Sequence, residues 1–282
     1  MSRPMSVFEP GRLVSVAPGV QRLVAPNPSL MTGPGTNTYL LGEPVTAVVD
    51  PGPLDDAHLA AVIRAAPRLE LVLVTHTHPD HSCGAMRLAE LTGARLVGRA
   101  PPLHGHQDRS FSPDIDPADM DHVLPARGAL RALETPGHAS NHVCYLLVAE
   151  GLLFSGDHIL DGVTPVIAPP DGDMAQYVDS LRRLARLELR AIAPGHGRVL
   201  ERPLEVIEGI IDHRQRREAR VLSALAQRRQ AAIDELLAPV YADVRPELHA
   251  LARQSLEAHL IKLAHEGRCR REGETWFVSR AG

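Results

Sequence analysis

Residues 75–81 read Thr-His-Thr-His-Pro-Asp-His and follow directly on a continuous apolar run at residues 69–74. An uninterrupted apolar run of this length predicts a strand buried on both faces. His76, His78, Asp80 and His81 therefore arise together at the end of an interior strand. Imidazole and carboxylate donors at this density point to a metal centre, with Zn(II) expected and iron or manganese as alternatives. Residues two apart on extended backbone point the same way, so His76 and His78 can share one metal. The chain then has to turn before Asp80 and His81 can address a second metal. No single turn closes two coordination shells, so the fold must bring other strand ends to the same edge.

Three later positions meet that requirement. His138 lies in Thr135-Pro136-Gly137-His138 after a strand pattern at 129–134, and Asp157 lies in Ser155-Gly156-Asp157-His158 after one at 152–155. His196 lies in Ala193-Pro194-Gly195-His196-Gly197 after a short strand at 191–193. Glycine directly precedes each of the three and lets the backbone bend sharply there.

The rest of the chain supplies the elements around these ends. Residues 12–17 and 20–25 flank a Pro-Gly turn, and 37–41 and 45–50 surround Gly42, so both pairs predict hairpins. Helical spacing marks 54–66, 82–91 and 174–187, and strands are expected at 94–98 and 143–148. Residues 101–121 have no periodicity and read as a loop over the site. Strands that arrive first in hairpins, with helices between them, predict an α/β fold of two sheets sandwiched by helices. After Gly197 the texture changes to helices at 203–230, 231–237 and 246–265, followed by a short hairpin at 269–279. Three helices and a hairpin are the order of a winged-helix module. The expected domains are therefore 1–200, catalytic, and 201–282, helical and winged-helix-like.

Composition narrows the partners. A net charge of −4 excludes a chain that is basic overall, so a nucleic-acid partner needs a local patch. Lys262 is the single lysine. The C-terminal arginines, Arg214, Arg216, Arg217, Arg220, Arg228 and Arg229 with Arg268, Arg270 and Arg271 in the hairpin, are interleaved with glutamates, as on a solvated face. Cys83, Cys144 and Cys269 form no disulfide framework, which suits a reducing cytoplasm. No window approaches the ~20 apolar residues of a membrane span.

The motifs HTHPDH at 76–81, PGH at 136–138, SGD at 155–157 and PGHG at 194–197 resemble those of the metallo-β-lactamase superfamily. The resemblance covers roughly residues 10–200 and implies a four-layer αββα sandwich with the metals at one edge. It implies that His76, His78 and His138 hold one metal, that Asp80, His81 and His196 hold the other, and that Asp157 bridges them. Asn27-Pro28-Ser29-Leu30-Met31, Gly35 to Gly42, GDHIL at 156–160 and the helical extension look like the β-lactamase-like protein 2 branch.

The activity implied is hydrolysis of an ester, thioester, lactone or amide by a water held between two zinc ions, with Asp80 as the group for proton transfer. Cleavage of single-stranded RNA and a mono-iron sulfur dioxygenase are the competing readings. A small-molecule substrate is the expected partner, and a homodimer is compatible with the sequence. Thr75 and Thr77 are expected to hydrogen-bond around the ligands, Asn37 to cap a turn, and Cys83 to be a packed thiol. His158, beside Asp157, is expected either to hydrogen-bond around the ligands or to be structural, Asn141 and His142 either to line the cleft or to cap the strand at 143–148, while His104 and His106 belong to the loop without a role.

Overall fold

The computed structural model describes residues 8–119, 121–124 and 128–279. Chain contacts divide it into two compact units. The first comprises residues up to 135, 141–163 and 187–204, and the second 136–140, 164–186 and 205 onwards.

The first unit is built on two sheets. Strands β1 (Val14–Ala17), β2 (Val20–Val24), β3 (Asn37–Gly42), β4 (Val45–Val49), β5 (Leu71–Leu73) and β6 (Arg95–Val97) lie side by side in chain order. The first four are antiparallel neighbours, while β4, β5 and β6 run parallel. Parallel neighbours need a crossover, and α1 (Asp56–Ala65) and α2 (Pro79–Thr92) supply it. The second sheet has the order β11-β10-β9-β8-β7, from β7 (Asp121–Leu124), β8 (Gly128–Glu134), β9 (Val143–Leu147), β10 (Leu152–Gly156) and β11 (Ala191–Pro194). There β10 and β11 are parallel.

Alternation along the strands decides what each face meets. Tyr39, Leu41, Val49 and Leu73 pack with Tyr145, Leu147, Phe154 and Ala193 of the second sheet. The Tyr39 and Phe154 rings lie 5.1 Å apart, centre to centre. The intervening residues Leu40, Val48 and Val72 pack instead with Leu59 and Val62 of α1 and Ala85 and Leu88 of α2. Both faces of the first sheet are thus covered, which is why β5, Leu71-Val72-Leu73, is apolar throughout.

The second unit contains α3 (Met174–Leu184), most of α4 (Pro203–Arg228), β12 (Gln230–Ala232), α5 (Ile233–Val240), α6 (His249–His265), β13 (Cys269–Glu272) and β14 (Thr275–Val278). Its core joins Val221 and Leu225 of α4, Leu236 of α5, and Leu256, Leu260 and Leu263 of α6 with Trp276 of the hairpin.

Three local expectations are corrected. Helix α2 starts at Pro79, three residues earlier than the periodicity suggested, because Pro at the first helical position is pre-set for helical φ and has no N–H to lose. Asp121, expected to end the loop, instead begins β7, paired with β8. Residues 230–232, expected in helices, form β12 against β14; the left-handed turn at Arg229, φ 64°, breaks the helix there.

Truncation of Phe154, buried between the sheets, should leave a cavity that the two sheets cannot close. Phe154→Ala is expected to lower unfolding stability by ~3–5 kcal/mol. Urea denaturation should show a lower midpoint with an unchanged slope.

Candidate metal centre

Parallel pairing brings strand ends to a common edge. Asp50 directly follows β4 and Thr75 lies two residues past β5, while Asp157 directly follows β10 and His196 lies two residues past β11. Backbone bonds then tie the two edges together: Val143 N donates to Thr75 O at 2.7 Å, and Asn37 N to Gly195 O at 2.8 Å.

After Thr75 the chain stays extended to His78, which caps α2 with φ −68° and ψ 143°. His76 and His78 project from this segment, with His76 Nε2 2.9 Å from His78 Nδ1. Asp80 and His81 fall in the first helical turn, where a carboxylate is favoured by the helix dipole.

His81 is completely buried. Its Nδ1 lies 2.9 Å from Asp50 Oδ2, and its Nε2 lies 3.3 Å from Asp157 Oδ1 and 3.6 Å from Asp80 Oδ2. His196 Nε2 lies 3.2 Å from Asp80 Oδ2 and 3.3 Å from Asp157 Oδ1. His76, His81 and Asp157 form one group of donor atoms mutually within 4.8 Å, and Asp80, His81 and His196 form a second. His138 stands in the 136–140 segment of the second unit, where its Nδ1 meets Val166 O at 2.8 Å. Of the seven expected ligands, six converge within the first unit, and His138 is oriented by its own loop.

A cation fits this arrangement. His81 Nε2 and His196 Nε2 are buried and make no hydrogen bond, yet each faces two carboxylate oxygens. Soft-to-borderline imidazoles with hard carboxylates are the donors of a divalent transition-metal site. Burial disfavours charge on His196, but Asp157 and Asp80 outweigh it and hold its pKa up to about 9. For His81 the same burial is overcome by Asp80, Asp157 and Asp50, again upward. Burial alone would raise the Asp80 and Asp157 carboxyls; the two histidines drive both down instead.

Asp50 was not singled out by the sequence. Only 2% exposed, its Oδ1 accepts from Thr75 N at 2.8 Å and its Oδ2 from Thr75 Oγ1 at 2.8 Å, with His81 Nδ1 on the same oxygen. It thereby fixes the His81 tautomer and turns Nε2 to the site. Thr75 Oγ1 also lies 3.0 Å from His76 Nδ1, so one buried carboxylate orients two imidazoles. The only sequence signal was an Asp at the end of a strand, Val49-Asp50-Pro51-Gly52.

The lesser expectations resolve as follows. Thr77 Oγ1 donates to Gln107 Oε1 at 2.6 Å and accepts from Asn141 Nδ2 at 2.8 Å, so residue 107 of the irregular segment is tied to the ligand loop. Asn37 Nδ2 donates to Pro194 O at 2.9 Å and Gly197 O at 3.0 Å, which pins the turn carrying His196. His142 stacks on His76 at 5.0 Å, and His158, completely buried, lies behind it at 5.6 Å. Burial, with Asp108 nearby, pushes the Cys83 thiol up to about 11, consistent with a packed thiol. His104 and His106 are exposed and join no ligand group among the described residues. Two glycines are sterically required. A Cβ on Gly195 would sit 2.6 Å from His81 Cε1 and 2.7 Å from Asp157 Oδ1, and one on Gly156, φ +47°, would sit 2.4 Å from Thr75 Oγ1.

Asp50→Asn should weaken metal retention ~10–100-fold with the far-ultraviolet dichroism unchanged, measured by competition with a chromogenic chelator. The proton that His196 holds up to about 9 has to leave when a metal binds, so metal uptake near neutral pH should release protons and weaken as pH falls below about 9. Calorimetry in buffers of different ionisation enthalpy reads that release; an enthalpy independent of buffer would contradict it.

Comparison with known proteins agrees with this geometry. Residues 31–196 match the metallo-beta-lactamase superfamily and residues 232–276 the beta-lactamase associated winged helix domain. The chain is 33% identical to the beta-lactamase-like protein 2 homolog of Drosophila melanogaster, over 89% of each chain. It is 35% identical to the atrochrysone carboxyl ACP thioesterase of Aspergillus fumigatus, over 74% of this chain and 66% of that one. Among solved structures, a metallo-beta-lactamase family protein from Thermus thermophilus superposes with a TM-score of 0.74 at 24% identity, covering 94% of this chain and all (100%) of that one. No helix among the described residues is long and apolar enough to cross a membrane. The chain belongs to the metallo-beta-lactamase superfamily, as an α/β hydrolase with a C-terminal winged-helix domain.

Proposed function

We propose that this hydrolase cleaves an acyl thioester or ester of small-molecule type, using two divalent cations, zinc in first place. The observation that carries the reading is the pair of donor groups sharing His81, one reaching Asp157 and the other Asp80 and His196. On the superfamily pattern His138 would join His76 and His78 in holding one cation, and Asp157 would help to hold both. When bound, the cations supply an acidified water nucleophile and neutralise charge on the attacked carbonyl oxygen.

The chain's own residues do the rest. Asp80 is the more exposed carboxylate, 28% against 14% for Asp157, so it is the one placed to take a proton at the cleft and pass it to the leaving group. Asp157 is the holding group. Asp50, through Thr75 and His81, keeps the imidazoles in one tautomer and needs no reorganisation during turnover.

Relatives named as ACP thioesterases, 35% and 31% identical to this chain, support the thioester class over the amide or lactone. The wing favours a small substrate over RNA, because two of its three arginines are compensated locally. Arg270 pairs with Glu272 and stacks on Phe277, while Arg271 meets Glu257 and Glu274 and stacks on Trp276.

Elemental analysis of protein grown without added metal, with turnover of acyl thioesters followed by thiol release, tests the proposal. Two zinc per chain and thioester turnover are expected, with Asp80→Asn lowering kcat ~10²-fold or more while two metals stay bound. One iron per chain with thiol-dependent oxygen uptake would replace the reading by a dioxygenase. Cleavage of single-stranded RNA without thioester turnover would replace it by a nuclease.

A further inference from the structure

Helices α3, α4 and α6 of the second unit enclose a cavity of about 210 Å³, lined by Met174, Val178, Arg182, Arg214, His259 and Lys262 among others. No part of the metal centre's first-unit ligand set lines it.

Arg214 is the anomaly. Its side chain is 4% exposed, and no carboxylate pairs with it among the described residues. One terminal nitrogen donates to Pro165 O, and the guanidinium lies 5.3 Å from the Tyr177 ring centre. Its Nε–H is buried and makes no hydrogen bond. Taking a guanidinium out of water is costly unless an anion compensates it. His259, completely buried on the same cavity, also leaves both ring nitrogens without a hydrogen bond; Glu218 Oε2 lies 3.8 Å from its Nδ1.

The acidic residues on the wall are already engaged. Lys262 Nζ lies 2.7 Å from Glu218 and 2.6 Å from Glu266, so these carboxylates face the lysine. Arg182 is exposed on the cavity wall and has no ion-pair partner among the described residues. Counting Arg182, Arg214 and Lys262 against Glu218 and Glu266, the ionised lining sums to one positive charge.

We infer that this cavity is a binding site for a small tetrahedral oxyanion of the phosphate class, held by Arg214 and His259 from inside and Arg182 from the wall. Arginine presents planar paired donors suited to phosphate oxygens, and the histidine adds a donor from a different direction. The three donors come from three different helices, α3, α4 and α6, and a tetrahedral anion offers acceptors on every side, whereas a carboxylate presents two oxygens in one plane. The volume admits inorganic phosphate or a short phosphate monoester, and no more.

Titration calorimetry on the full-length, metal-loaded protein at fixed ionic strength tests this, with inorganic phosphate and glycerol 3-phosphate as separate probes and acetate as the planar control. Either phosphate probe should bind with 1:1 stoichiometry at this site (about one per chain) and acetate much more weakly. Which phosphate probe binds more tightly identifies free anion or monoester as the source. Arg182→Gln, at an exposed position that leaves the fold alone, should weaken binding about fivefold or more, and Arg214→Gln should abolish it. Phosphate held only by the metals would bind equally to the parent protein and Arg182→Gln, and that result overturns the inference. So does the absence of phosphate binding, which would mean that water alone fills the cavity. Should Arg214→Gln fail to fold, the Arg182→Gln comparison decides.

Discussion

The metal centre depends on one buried carboxylate. Asp50 directly follows β4, accepts the backbone N–H and the hydroxyl of Thr75 just past β5, and takes the Nδ1 side of His81 at the start of α2. Three elements meet on its two oxygens. The adjacent parallel strands are held in register there, and the imidazole that both donor groups share is aimed by the same contact. A buried carboxylate is costly unless fully hydrogen-bonded, and here every available donor is used. The junction between sheet and helix and the orientation of the ligands are therefore the same interaction.

The second sheet makes the matching contribution. Because β10 and β11 are parallel, Asp157 and His196 leave their strands at one edge, and Gly195 N bonds Gly156 O at 2.8 Å to keep the two turns together. Asn37 then fastens the His196 turn to the first sheet from below. Imidazoles and carboxylates are packed so tightly that each shifts the other, raising the histidine pKa values and lowering those of the carboxylates. That charge arrangement is what a divalent cation replaces, and it links metal affinity to proton release.

The second unit is organised differently. Its core is aliphatic around Trp276, but its interior also carries Arg214, Arg217 and His259, all nearly or fully buried. Arg217 is satisfied by Val240 O and Asp243 and stacks on Tyr241. Arg214 has the carbonyl and the ring without the carboxylate, and that contrast within one helix separates a structural arginine from one that awaits an anion.

The sequence by itself determined the candidate donors and the class of fold. A run of apolar residues ending in His-Thr-His-Pro-Asp-His predicts a buried strand presenting candidate ligands, and glycine before His138, Asp157 and His196 marks the other strand ends. Strand and helix periodicities are local, so most of these elements were legible, with their ends displaced by a few residues. What the tertiary structure decided was everything that depends on partners distant in the chain. Asp50 gave no sign of its role because its contacts lie 25 and 31 residues away. Asn37 looked like a turn residue until its amide was found on carbonyls 157 and 160 residues on. β7 and β12 were missed because a short strand is made by its neighbour's free backbone groups, not by its own composition. Ligand identity follows from side-chain chemistry, which sequence carries directly; orientation, tautomer and uncompensated charge follow from packing, which exists only once the chain has folded.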